Sequence, residues 1–470
     1  MTSSRLLPFA FMMSIGCGAA DGGTSADDAG AMDDAAADAE LDGAEDSAAD
    51  ATDAPADAPA DALAEGENEA SVKCPTPPIA DSLADERAAC KFTKGAKVLT
   101  TLGFTDAMRA ALPIKHLIVV MNENRSFDHY FGKLADEGQP EAEGFPSTFS
   151  NKDRSGAAVK PYHAATTCIS PDPPHGWTPM HNKWNAGKMD SFVTESDSAT
   201  NNGHFVMAYY DKSDIPFYNF LGKTFAISDR YFPSVLGPTW PNRDFFYAAT
   251  SDGVLNTGER ANNVPTIFDS LTTAKVSWAI YTDGNSRADC INFPEADPHH
   301  KDMAEFYAAL AAGTLPRISV IGPVGAQDEH PTRDLQGGEA FSKRIYDNVR
   351  KSSLWPKTAL LYTYDEGGGF FDHVPPPKAC PPSAADPEFN RLGFRVPLMV
   401  VSPYARPKFV SHKTHEHTSI TRLIELLHDL PALTARDANS DALLDLFDFN
   451  CPSMLDAPPA PASGKGGCPP

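Results

Sequence analysis

Nowhere do these 470 residues hold the roughly 18 consecutive apolar positions that a membrane-crossing helix requires, so no transmembrane span is predicted. Basic runs are missing too, with 39 Lys and Arg against 63 Asp and Glu. A protein that grips a phosphate backbone presents clustered cations, and their absence disfavours nucleic acid as a partner. The eight cysteines form no Cys-x-x-Cys pair and no Cys/His spacing of the zinc type, which disfavours a structural zinc knuckle. Between Gly18 and Ser71 there is no aromatic residue, and between Asp21 and Glu69 no Lys or Arg stands against 17 acids. Without those acids the formal charge of −24 falls to −7, so the rest of the chain is only mildly acidic.

That depleted segment divides the chain. Residues 18–73 are mostly Ala, Asp, Glu, Gly and Pro, and cannot bury enough apolar surface to offset the entropy of ordering. They are expected to form a disordered, self-repelling tether, with Asp-Ala-Pro-Ala repeated at 53–60. Ahead of it, residues 1–17 place Arg5 before an apolar stretch from Leu6 to Met13 and small residues up to Cys17, the layout of an export signal. Ser14-Ile15-Gly16-Cys17 resembles a bacterial lipobox, whose cysteine is acylated, although Ser14 stands where Leu is usual. Gly18 rather than Asp follows that cysteine, so an outer-membrane or cell-surface lipoprotein is expected. The alternative is an ordinary signal and a periplasmic or secreted protein.

A folded body is expected at residues 74–451, followed by a Pro/Gly-rich tail at 452–470. In an exported chain its cysteines are disulfide candidates, with Cys74–Cys90 and Cys451–Cys468 as the local pairings. Short apolar runs at 114–121, 276–281, 318–321, 358–364 and 396–401 read as buried parallel-type strands. Helical patterns at 265–273, 303–312, 339–352 and 419–428 lie between or after them. Alternation of this kind predicts an α/β fold, a central, mostly parallel sheet with helices on both faces and ligands at the carboxyl ends of its strands.

Two of those ends carry oxygen donors. Asn122-Glu123-Asn124-Arg125-Ser126-Phe127-Asp128-His129-Tyr130-Phe131-Gly132 follows the first run, and Asp365-Glu366-Gly367-Gly368-Gly369-Phe370-Phe371-Asp372-His373-Val374-Pro375 follows the run at 358–364. Carboxylates and an amide that converge from two strand ends suit a hard divalent cation. Helix capping at the first site and turn chemistry at the second account for the same residues without a metal.

The strings ENRSFDHYFG, GPTWPNR and YDEGGGFFDHVPPP, in that order, resemble the bacterial phosphoesterase family of phospholipases C and acid phosphatases, which has an alkaline-phosphatase-like fold. The resemblance runs from about Pro113 to Phe449. It implies that Glu123, Asn124, Asp365 and Glu366 are metal ligands, and that Thr239 is both a metal ligand and the phosphoryl-accepting nucleophile. It also places His175, in DPPHGW, and His330, in DEHP, beside the phosphoryl group. His181, His373 and His129 are weaker candidates, and of His412, His415 and His417 the last is expected nearest the site. The implied function is metal-dependent hydrolysis of a phosphoester, of phospholipase C type, through a phospho-threonine, on phospholipid or another phosphoester. The Thr-x-Pro-Asn form is more similar to the phospholipase branch than to the Ser form of the acid phosphatases. Acid phosphatase action on soluble monoesters, or binding of phosphorylated ligands without turnover, are the alternatives. The identity of the divalent cation is left open.

Overall fold

Seven consecutive residues, His116–Asn122, form the central strand β1, and all but the first are buried. β-branched Ile118, Val119 and Val120 favour the extended chain, and a strand covered on both faces can be apolar throughout. The computed structural model describes residues 79, 81–258, 264–283 and 297–468. The export segment with Cys17, the tether and Cys74 therefore lie outside the described residues.

Seven more strands join β1: β2 (Ala226–Ser228), β3 (Trp278–Thr282), β4 (His300–Asp302), β5 (Ile318–Ile321), β6 (Thr358–Tyr364), β7 (Leu398–Val401) and β8 (Val410–Ser411). Their order across the eight-stranded sheet is β8-β2-β7-β6-β1-β5-β3-β4. Only β7 runs against the others, pairing antiparallel with β6 and β2. The run at 396–401 was expected to be of parallel type. Apolar content marks a buried strand but carries no information on its direction, and the structure corrects that point.

The helices that position the site are α1 (Phe127–Phe131), α2 (Trp177–Trp184), α3 (Pro216–Thr224), α4 (Thr239–Ala248), α5 (Ile267–Thr273), α6 (Met303–Ala312), α7 (Leu335–Lys351) and α8 (His417–His428). All four predicted helices are present, as α5 to α8. The third starts earlier than its apolar pattern, because the Asp334 carboxylate accepts the Gln336 N–H at 3.0 Å and caps α7. α3 and α6 pack on α7, while α5 and α8 pack on α4, and β3 meets a helix of each group. Both faces of the sheet are thus covered, which is why every residue of β3 and β6 is buried.

The expected local disulfides do not form. Cys90 is bonded to Cys380 and Cys468 to Cys168, across 290 and 300 positions. Closeness in sequence does not set pairing, because two cysteines bond only when the fold brings their Cα atoms to about 5 or 6 Å. Cys451 is also disulfide-bonded. Beyond Phe449 the chain stays on the body, with Met454, Ala457 and Ala460 packed against the main core. No helix among the described residues is long and apolar enough to cross a membrane.

Candidate active site

β1 and β6 are parallel neighbours, with Asn122 opposite Tyr364 in the register. The next residues, Glu123-Asn124 and Asp365-Glu366, consequently leave the sheet side by side at its carboxyl edge. Backbone hydrogen bonds fix them there. The Asp365 N–H donates to Asn122 O at 3.0 Å, and Asp365 Oδ1 accepts the N–H groups of Asn124 at 3.2 Å and Glu366 at 2.7 Å. Glycine is required close by: Gly368 has φ +61, and a side chain there would run into the Asn124 carbonyl.

Thr239 opens α4 after a turn that Asn242 holds. The Asn242 amide donates to Gly237 O and Pro238 O at 3.0 Å each and accepts the Val235 N–H at 2.9 Å. One helical turn beyond Thr239, on the same face, lies Arg243. Its buried guanidinium donates from Nε to Asp365 Oδ2 and from Nη2 to Glu123 Oε1, both at 3.2 Å. One cation therefore ties α4 to both strand ends. In the sequence Arg243 is only the last residue of the GPTWPNR string. Its spacing of four residues from Thr239 was the available signal.

The two histidines approach from separate loops. His175 Nδ1–H donates to Pro173 O at 2.7 Å, which fixes the tautomer and leaves Nε2 facing Asn124 Nδ2 at 3.4 Å and Glu366 Oε1 at 3.9 Å. Burial lowers its pKa, so the ring is neutral. The His330 N–H donates to Asp328 Oδ1 at 2.9 Å, and its ring centre lies 5.7 Å from that of His175. Asp172 stands between them, Oδ1 at 3.6 Å from His175 Nδ1 and Oδ2 at 3.9 Å from His330 Nε2. Lys183 on α2 is buried and donates to Pro174 O at 2.6 Å and Gly369 O at 2.8 Å, joining the His175 loop to the Glu366 loop. Burial lowers its pKa to about 7, against the pull of Glu366. Neither Asp172 nor Lys183 was singled out from sequence.

The other histidines divide. His417 reaches the site: Nε2–H donates to Asp365 O at 2.7 Å, Nδ1 accepts the Tyr231 hydroxyl at 2.9 Å, and burial lowers its pKa to about 4. His412 pairs with Asp229, and His415 lies between Asp441 and Asp445, so the three do not form a cluster. His129 stacks on Phe370, His181 bonds to Trp177 O, and His373 bonds to Asp128. Glu329, next to His330, is instead a buried anchor that takes hydroxyl hydrogen bonds from Tyr130, Tyr218 and Tyr364.

The four donor residues suit a cation on two grounds. Asn124 Oδ1 and Glu366 Oε1 are buried and have no hydrogen-bond partner, and a buried acceptor left unpaired is costly. Burial, with the neighbouring Asp365 charge, pushes the Glu123 carboxyl up to about 8 and that of Glu366 well above the usual carboxylate range. A hard cation would supply the partner and the charge that both observations lack.

A model of the Phosphoesterase family matches residues 114–431, a range that contains every residue of this site. The chain belongs to that family. This phosphoesterase is 31% identical over 420 residues to phospholipase C B of Mycobacterium tuberculosis, covering 73% of this chain and 80% of that protein. It is 32% identical over 390 residues to non-specific phospholipase C6 of Arabidopsis thaliana, covering 74% of each. Among solved structures, a member of the alkaline phosphatase superfamily from Vibrio parahaemolyticus overlays with a TM-score of 0.39 and 11% identity over 77% of both chains, too low a score to bear on the fold. The phosphoesterase is a phosphoric ester hydrolase.

Proposed function

We propose that this phosphoesterase is a metal-dependent hydrolase of phospholipase C type, acting on phospholipid or a related phosphoester through a phospho-threonine at Thr239. One observation carries the reading. Thr239 lies a single helical turn from Arg243, whose guanidinium joins Glu123 to Asp365, and the residues that follow those two in the chain, Asn124 and Glu366, each hold a buried oxygen without a hydrogen-bond partner. The phospholipase C names of the relatives support the substrate class.

Glu123, Asn124, Thr239, Asp365 and Glu366 would hold the divalent cation, which when bound lowers the proton affinity of a hydroxyl and neutralises phosphoryl charge. Thr239 Oγ1 forms a bond to phosphorus as the bond to the leaving alcohol oxygen breaks. His175 Nε2, neutral and with Nδ1–H committed to Pro173, is the atom free to take a proton. His330, beside the Asp172 carboxylate, donates a proton to the departing alkoxide. Water then gives a proton to the now neutral His330 as its oxygen bonds to phosphorus, and the bond to Thr239 Oγ1 breaks as His175 returns its proton to the threonine. Arg243 holds the two strand ends and the nucleophile helix in register throughout.

The test is hydrolysis of a nitrophenyl phosphodiester and a nitrophenyl monoester, with and without chelator, followed by acid quench and mass mapping of Thr239. Diester turnover, abolished by chelator and with a phosphoryl group that keeps its second ester on Thr239, is the expected result. Preference for the monoester would favour an acid phosphatase, and binding without turnover would overturn the enzyme reading. We also propose export with acylation at Cys17, supported by residues 1–17. Cys17→Ser should move the protein from the detergent phase to the aqueous phase, and unchanged partitioning would refute the anchor.

A further inference from the structure

The Pro/Gly-rich tail from residue 452 lies along the body as a strap. It runs antiparallel to α7, beginning beyond the carboxyl end of that helix. The Trp355 indole donates to the carbonyls of Met454 and Leu455 at 3.0 Å, and the Tyr346 hydroxyl donates to Pro458 O at 2.6 Å. Further on, the Gly464 N–H donates to Glu339 Oε2 at 2.7 Å, the Gly466 N–H to Gln336 Oε1 at 2.6 Å and the Gly467 N–H to Asp334 Oδ2 at 2.7 Å. A side chain at 464 would have to displace that of Gln336. The strap ends in the Cys168–Cys468 disulfide, with the Cα atoms 5.6 Å apart.

One end of that bond, Cys168, lies on the segment leading to His175, and the residue beside the other end, Gly467, is held by the segment that follows His330. Cys168 is four residues before Asp172 and seven before His175, and the adjoining Thr167 carbonyl accepts the Leu335 N–H at 3.2 Å. Asp334, which holds Gly467, caps α7 four residues after His330. A second route runs through the interior. Glu339 takes the strap on Oε2 and the Phe217 N–H on Oε1 at 2.7 Å, and the neighbouring Tyr218 hydroxyl donates to Glu329, adjacent to His330.

We infer that Cys468 is a positioning residue for the reaction: through its bond to Cys168 the strap holds the His175 and His330 loops at their working separation. The inference rests on the proposed hydrolase mechanism for its kinetic readout, but not for its structural one. Loops that are not otherwise part of the sheet drift when a crosslink is lost, and small misplacements of catalytic groups slow turnover steeply.

Two variants test this. Cys168→Ser combined with Cys468→Ser removes the bond alone. A Cys168→Ser chain ending at residue 463 also removes the last anchors while keeping Cys451. In both, kcat should fall about tenfold or more with KM nearly unchanged, and amide hydrogen exchange over residues 167–176 should speed up. A disulfide that merely staples the fold would lower the melting temperature yet leave kcat at 25 °C and exchange around His175 as in the wild type, and that result would overturn the inference. If the wild type itself hydrolyses no phosphoester, the proposed function fails, and the exchange measurement alone decides the strap.

Discussion

Arg243 donates to Asp365 from Nε to Oδ2 at 3.2 Å, joining residues 122 positions apart, both fully buried. The same guanidinium reaches Glu123, so the helix that begins at Thr239 cannot shift relative to the edge of the sheet without breaking a buried ion pair. Rigid placement of a nucleophile against its electrostatic partners is what phosphoryl transfer asks of a protein, since the chemistry is largely one of position and charge.

Replacing the proposed nucleophile, Thr239, should separate chemistry from stability. Thr239→Ala is expected to cut turnover by about a thousandfold or more, with the unfolding midpoint close to that of the wild type, because the Thr239 side chain is not the cap of its helix. Thr239→Ser, which keeps a hydroxyl, should retain measurable turnover. An alanine variant that works within tenfold of the wild type would remove Thr239 from the mechanism.

Loss of the bridging cation should be felt in both folding and rate. Arg243→Met leaves Glu123 and Asp365 without their shared partner, and breaking a buried pair in this way costs about 3–5 kcal/mol. Urea unfolding of the variant and the wild type measures the difference. A loss below about 1 kcal/mol would mean that the pair is dispensable.

Metal content and activity should fall together in Asp365→Ala and Glu366→Ala. Elemental analysis of the purified proteins, beside rates on the nitrophenyl diester, checks this. Full activity from a protein stripped of divalent cations would show that the unpaired oxygens of Asn124 and Glu366 serve another purpose.

Away from the site, His415 offers a pH test. Burial alone would lower its pKa, but Asp441 and Asp445 at 3.2 Å outweigh it and raise the ring to about 9. A pKa above the unfolded value of about 6.5 means that this stabilisation is complete below pH 6.5 and is lost as pH rises through 9. The carboxyl groups of Asp441 and Asp445 are held low by His415 in spite of their burial, so their contribution is lost instead as pH falls below the usual carboxylate range. Unfolding free energy measured at pH 6 and pH 10 should drop by about 3 kcal/mol from this group, and His415→Asn should flatten that slope. An unchanged slope in the variant would place the titration elsewhere.

What the sequence determined by itself was local. Ile318–Ile321 and Thr358–Tyr364 are strands and Met303–Ala312 is a helix where their apolar patterns put them, because periodicity and propensity act over a few residues. The motif strings likewise brought Glu123, Asn124, Thr239, Asp365 and Glu366 to notice, as each stands in a short stretch with a recognisable spacing. Tertiary structure decided everything that depended on which distant segments meet. It made β1 and β6 neighbours, reversed β7, put Asp172 between His175 and His330, turned Arg243 from a motif letter into the bridge of the site, and paired Cys168 with Cys468 rather than with a local partner. Hydrophobic burial has no direction and names no partner. Strand order, ion-pair partners and disulfides are chosen only when closing the sheet and its helices brings residues hundreds of positions apart within a few ångströms.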